Sequence, residues 1–163
     1  LTDIIFLIKI IKTVQTVSGS KGTETGGFVV GKKILVVDDE PDIHSVVKAI
    51  LLKRGYDIQT ASDGEEALQK LSAEKYDLII LDVLMPKLDG FAVLQKIRES
   101  GQTELPVVML TAVSSDRDMW KGYEKGATYY ITKPFENKRL ANIVDYLIGD
   151  LPRDERTNLE LSL

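Results

Sequence analysis

Four short apolar runs, each closed by a polar residue, set the rhythm of this chain from residue 33 onward. Ile34-Leu35-Val36-Val37, Leu78-Ile79-Ile80-Leu81, Val107-Val108-Met109-Leu110 and Tyr129-Tyr130-Ile131 show no hydrophobic–polar alternation. Runs of this kind read as strands buried on both faces, the habit of a parallel sheet covered by helices. They predict strands over 33–37, 77–81, from 107 and over 128–131, with a shorter one at 57–61. The segments between them carry helical signals. Pro41 suits a first helical turn and Gly55 a helix end, which predicts a helix over 41–55. Asp63 with Glu66 resembles a capping box opening a helix over 64–73. The loop Pro86-Lys87-Leu88-Asp89-Gly90 leads into a helix over 89–99 with Phe91, Leu94 and Ile97 on one face. A fourth helix is predicted from Ser115 to before Gly126, and a fifth over 136–148 with Leu140, Ile143, Val144 and Leu147 inward. Five strand–helix repeats in about 120 residues predict an α/β domain with right-handed crossovers.

The ends differ from this middle. In residues 1–31, Lys9 and Lys12 interrupt an apolar stretch that is too short for a bilayer span of about 20 residues. Leu1-Thr2-Asp3 lacks the positive start of a signal peptide, and residues 18–27 have the Gly, Ser and Thr content of a flexible linker. The chain opens on leucine, so the expectation is a fragment or translated sequence upstream of the true start. Residues 1–31 are therefore expected to be a flexible or non-native extension, 32–150 the folded domain, and 151–163 a polar tail. No output segment is recognised after residue 150, which leaves either a stand-alone domain or a piece of a longer protein.

Composition narrows the chemistry. At 163 residues one domain with tails is expected. Twenty-five acidic against 21 basic residues, net −4 and without a basic block, argue against nucleic-acid binding by this chain. Cysteine is absent, which removes disulfides, thiolate catalysis and Cys-type zinc sites. His44 is the single histidine, so multi-histidine metal sites are excluded and a Ser-His-Asp triad would have to use it.

The chemistry then concentrates at the strand ends. In an open parallel sheet ligands collect outside the carboxyl ends of the strands, which would gather Asp38, Asp39, Asp82, Thr111 and Lys133 in one crevice. Neighbouring strands lie about 4.8 Å apart. Two like charges at 4 Å repel by about 4 kcal/mol at an effective dielectric of 20. Three carboxylates facing one lysine should raise a carboxylate pKa or bind a hard cation, and an all-oxygen ligand set suits magnesium better than zinc or a calcium cage. A carboxylate beside magnesium can itself attack phosphorus to give an aspartyl phosphate. The transition state then needs positioning and positive charge, which Lys133 offers, with the Thr111 hydroxyl donating to a phosphoryl oxygen.

Val36-Val37-Asp38-Asp39-Glu40-Pro41, Asp82-Val83-Leu84-Met85-Pro86-Lys87-Leu88-Asp89-Gly90, Leu110-Thr111-Ala112 and Gly126-Ala127-Thr128-Tyr129-Tyr130-Ile131-Thr132-Lys133-Pro134-Phe135 resemble the receiver domain of bacterial two-component response regulators. The resemblance implies a flavodoxin-like (βα)5 doubly wound sheet with five parallel strands in the order 2-1-3-4-5, the order of the chemotaxis receiver used as the standing example of this fold. It implies a switch rather than a turnover enzyme, in which Asp82 accepts a phosphoryl group from a sensor histidine kinase or a histidine phosphotransfer protein. Asp39, Asp82 and the backbone carbonyl of Leu84 would hold Mg2+, with Asp38 acting through water. Lys133 would pair with Asp82 and then with the phosphoryl oxygens, and Pro134 would follow a cis peptide bond. Thr111 would be drawn toward the phosphoryl group and Tyr130 would swing inward behind it, a two-state switch. The resemblance further implies a cytoplasmic module with a downstream protein partner of unknown identity. It also leaves room for a homodimer through the fourth and fifth predicted helices.

Smaller signals remain. Leu84 and Val113 hold positions that in this family influence attack of water on the aspartyl phosphate, and both are apolar, which predicts slow self-dephosphorylation. The alternative for Leu84 is plain packing over the site. Met119, Trp120 and Tyr123 on the fourth predicted helix are candidate partner anchors, with core packing the alternative for Tyr123. Two other functions stay open at this point. One is a binding module indifferent to phosphate. The other is a phosphatase or phosphotransferase of the haloacid-dehalogenase type, which wants a second acid where Leu84 stands.

Overall fold

In the computed structural model, residues 31–112 and 123–160 are described. The elements are β1 (Lys33–Val37), α1 (Pro41–Leu52), β2 (Asp57–Ala61), α2 (Gly64–Ala73), β3 (Leu78–Asp82), α3 (Gly90–Glu99), β4 (Val107–Thr111), β5 (Tyr129–Thr132), α4 (Asn137–Ile148) and α5 (Arg153–Glu160). The strands form one parallel sheet in the order β2-β1-β3-β4-β5. This is the flavodoxin-like arrangement that the motifs implied.

The uninterrupted apolar runs have a direct packing cause. Successive residues of a strand point to opposite faces, and here both faces are covered. Ile34, Val36, Leu78, Ile80, Val108 and Leu110 pack toward α1 and α4 with Val47, Leu51, Leu140, Ile143 and Val144. Leu35, Val37, Ile79, Leu81, Val107 and Met109 pack toward α2 and α3 with Ala67, Leu71, Val93, Leu94 and Ile97. Every strand end therefore opens onto a rim with helices on either side.

Local signals explain the helix boundaries. The Asp63 carboxylate accepts from the N–H of Glu66 at 2.9 Å, as expected for a cap. Glu66 reaches back one residue further than a capping box requires, taking the N–H and hydroxyl of Ser62, each at 2.8 Å. Asp89 caps α3 through the N–H of Ala92 at 2.8 Å. α1 stops at Leu52 rather than at Gly55, whose φ of +87° makes the following turn. Most of the fourth predicted helix lies outside the described residues, as does the extension apart from Gly31.

The polar tail carries an element for which no helix was expected, α5. Its N-terminus follows Pro152 and carries Asp154 and Glu155 in the first turn, where acidic groups favour the helix dipole. The guanidinium of Arg156 donates to the Gly149 carbonyl at 3.3 Å and the Tyr146 hydroxyl to Glu160 at 3.2 Å, so the helix is pinned to α4. Polar residues make these contacts, which is why no apolar stripe announced them.

One buried acid lies far from the strand ends. Asp145 of α4 is 6% exposed and accepts from the Tyr56 hydroxyl at 2.8 Å and from Arg54 at 2.6 Å. Asp145→Ala leaves the hydroxyl of Tyr56, a side chain that is 2% exposed, without its acceptor. The expected cost is about 3 kcal/mol, read as a lower urea midpoint. An unchanged midpoint would show that solvent replaces the carboxylate.

Candidate phosphoacceptor site

Strand register brings the functional side chains together. Val37 pairs with Leu81, so Asp38 and Asp82 follow side by side at the ends of β1 and β3. Asp82 pairs with Leu110 and Thr111 with Thr132, which sets Thr111 and Lys133 at the same rim. The N–H of Lys133 donates to the Thr111 carbonyl at 2.7 Å and that of Asp38 to Ala61 at 3.1 Å. Lys133 also precedes a cis bond to Pro134, as the motif implied.

Asp38 is fully buried and Asp82 is 3% exposed, whereas Asp39 is exposed. The Lys133 ammonium reaches Asp38 Oδ2 at 2.8 Å, Asp82 Oδ1 at 3.1 Å and Glu40 Oε1 at 3.2 Å. The other Asp38 oxygen accepts from the backbone N–H of Glu40 at 3.0 Å. Asp38, Asp39 and Asp82 each offer an oxygen within 4.8 Å of the others, the one such grouping among the described residues. Counting Glu40, the site holds four carboxylates against one ammonium, an excess of three negative charges.

The electrostatics follow from burial and pairing. Burial pushes the Asp82 carboxyl above its ordinary range; Lys133 and the Leu84 N–H pull it back only in part, and neighbouring Asp38 adds to the rise. For Lys133, burial acts to lower the ammonium's pKa, but the bonds to Asp38 and Asp82 outweigh it and hold the group well above the usual lysine range. Hard oxygen donors, excess negative charge and partial exposure at Asp39 together fit a hydrated divalent cation.

The loop after β3 is fitted tightly to Asp82. The N–H of Gly90 donates to Val83 at 3.0 Å, and a Cβ on Gly90 would lie 2.1 Å from the Asp82 carbonyl oxygen. Lys87 adopts φ +67° and its ammonium meets Asp63, the α2 cap, at 3.1 Å. Leu84 sits in this loop with its side chain 57% exposed, so it does not pack into the core.

Thr111 is buried, 2% exposed, at the same strand-end rim. Tyr130 is already inside, 5% exposed on the α2–α3 side, with its ring edge-on to Tyr123 at 5.2 Å. Tyr123 is thus a packing residue in this structure. His44 is half-buried in α1 and outside the acidic group. Val113, Met119 and Trp120 lie outside the described residues. Two features were not singled out from the sequence: the pairing of Glu40 with Lys133, and the approach of Gly90 to Asp82. The available signal for the first was a glutamate at a helix N-cap, where shorter side chains are preferred.

Comparison with known proteins agrees with this arrangement. A family described as the response regulator receiver domain matches residues 34–145. The alkaline phosphatase synthesis transcriptional regulatory protein PhoP of Bacillus subtilis is 50% identical over 109 residues, covering 67% of this chain and 45% of that protein. The transcriptional regulatory protein DltR of Streptococcus agalactiae is 42% identical over 108 residues, covering 66% of this chain and 48% of that protein. The chain thus spans about half the length of these curated relatives. Among solved structures, the response regulator TrrA of Thermotoga maritima in complex with Mg2+ and BeF is 40% identical with a TM-score of 0.66, covering 72% of this chain and 100% of that one. Chemotaxis protein CheY4 of Vibrio cholerae is 36% identical with a TM-score of 0.68, covering 72% and 98%.

Proposed function

The chain belongs to the response regulator receiver domain family, and from that premise we propose that Asp82 is its phosphoacceptor, taking a phosphoryl group from a phosphohistidine with Mg2+ at the acidic group. The observation that carries this reading is the convergence of Asp38, Asp39, Asp82 and Lys133 at one rim. Asp39, Asp82 and the Leu84 carbonyl would hold the ion, with Asp38 behind them. When bound, magnesium supplies positive charge for the phosphoryl oxygens.

The chain's own groups do the rest. An Asp82 carboxylate oxygen attacks phosphorus and a P–O bond forms. The P–N bond breaks, and its electron pair returns to the donor imidazole. Lys133, already 3.1 Å from Asp82, compensates charge on the transferred oxygens. The Thr111 hydroxyl donates to one of them. Tyr130 would back Thr111 in the switch, and its buried position on the α2–α3 side is the arrangement that phosphorylation would favour. The face expected of β5, α4 and the fourth helix predicted from sequence, most of which lies outside the described residues, would present the change to a downstream protein or to a second copy, in the cytoplasm.

A panel of phosphodonors tests this chemistry. Phosphoramidate, a P–N donor, is expected to label the chain in Mg2+ and not in chelator. Turnover of p-nitrophenyl phosphate would instead support the phosphatase alternative.

Leu84 sets a second expectation. Exposed beside Asp82 and unable to orient water, it favours a long-lived aspartyl phosphate. Leu84→Asn is expected to speed phosphoryl loss about tenfold, the worth of one well-placed hydrogen bond in the transition state. An unchanged half-life would remove this role.

A further inference from the structure

Glu40 stands at the N-cap of α1, yet its side chain makes no capping hydrogen bond. An aspartate, asparagine or serine there would satisfy an orphan N–H of the first turn. The Glu40 carboxylate instead extends to the rim and meets the Lys133 ammonium at 3.2 Å. Its backbone N–H independently holds Asp38 at 3.0 Å. The side chain can therefore be changed without removing the bond that orients Asp38.

Resting on the phosphoacceptor reading above, we infer that Glu40 is a positioning residue that holds Lys133 back, competing with Asp82 and the incoming phosphoryl group for the ammonium. The distances define the competition. Lys133 is 14% exposed and has three carboxylate partners, of which Asp38 and Asp82 are buried and belong to the acidic group. Glu40 is 62% exposed and lies outside that group, so it stays available to Lys133 when the other carboxylates are engaged. Releasing Lys133 from Glu40 leaves the ammonium freer to meet the phosphoryl oxygens and raises the rate of acceptance.

The test compares wild type, Glu40→Gln and Glu40→Asp for phosphorylation by acetyl phosphate at saturating Mg2+, followed by intact mass. In this reaction the Asp82 oxygen bonds to phosphorus and acetate leaves with the electron pair of the broken P–O bond. Glu40→Gln removes the charge. Glu40→Asp keeps the charge but retracts the carboxylate by roughly 1.5 Å, one bond length, and favours capping α1 instead. Both variants are expected to accept the phosphoryl group about two- to fivefold faster, the range of an exposed ion pair, with melting unchanged in Glu40→Gln and unchanged or raised in Glu40→Asp, which gains the cap. Acceleration in Glu40→Gln alone would show that charge at a distance acts rather than the contact, and would overturn the inference. Unchanged or slower acceptance in both variants would also overturn it. A wild-type chain that takes up no phosphoryl group overturns the phosphoacceptor reading itself, and the inference with it.

Discussion

Lys133→Ala is expected to cost the fold about 3–5 kcal/mol at neutral pH without metal, because it strips the cation from two buried carboxylates. Asp38 and Asp82 have side chains 0% and 4% exposed, and the ammonium touches both. Without it, like charges about 4 Å apart repel by about 4 kcal/mol at an effective dielectric of 20. Two rescues are expected in urea melts. Mg2+ should return much of the loss by binding the folded state alone. Acid should do so as well, with a sign fixed by linkage. Burial already raises the folded-state pKa of Asp82, and removing Lys133 takes away its chief counterweight. The folded state then binds more protons than the unfolded one, so stability rises as pH falls from neutral toward the ordinary carboxylate range. A variant with the wild-type midpoint, insensitive to both metal and acid, would mean that the carboxylates are not held against one another.

Gly90→Ala is expected to damage fold and site together. The new Cβ would lie 2.1 Å from the Asp82 carbonyl oxygen and 3.0 Å from Val83 Cα, and both are backbone atoms. Neither can turn aside as a side chain would. Relief requires moving either the start of α3 or the end of β3, where Asp82 pairs with Leu110. Overpacking against side chains costs about 1–3 kcal/mol, and a rigid backbone neighbour puts this substitution at or above the top of that range. Thermal melting reads the first effect. The rate of phosphoryl acceptance by the fraction still folded reads the second, which should fall because Asp82 is displaced. Wild-type values in both would show that α3 shifts freely.

Strands were legible from sequence because burial on both faces removes polar residues from the run. The errors have the same origin. β3 and β5 each run one residue further than expected, through Asp82 and Thr132, since the backbone ladder continues through a polar side chain. Which strand residues face which helical layer was not legible, because both layers demand apolar side chains. The strand order came with the family motifs rather than from periodicity. α5 escaped notice because hydrogen bonds from Tyr146 and Arg156 hold it, without an apolar stripe. In the site, residues at strand ends could be grouped because parallel strands deliver them to one rim. Glu40 could not, since its role depends on the direction in which a flexible side chain leaves a helix cap.

The most direct test is the intact mass of wild type and Asp82→Ala after incubation with acetyl phosphate, each in Mg2+ and in chelator. The expected result is a gain of one phosphoryl group in wild type with Mg2+ only, labile to hydroxylamine as an acyl phosphate should be. No gain from a folded wild-type chain, or an equal gain in Asp82→Ala, would contradict the assignment of Asp82 as the phosphoacceptor.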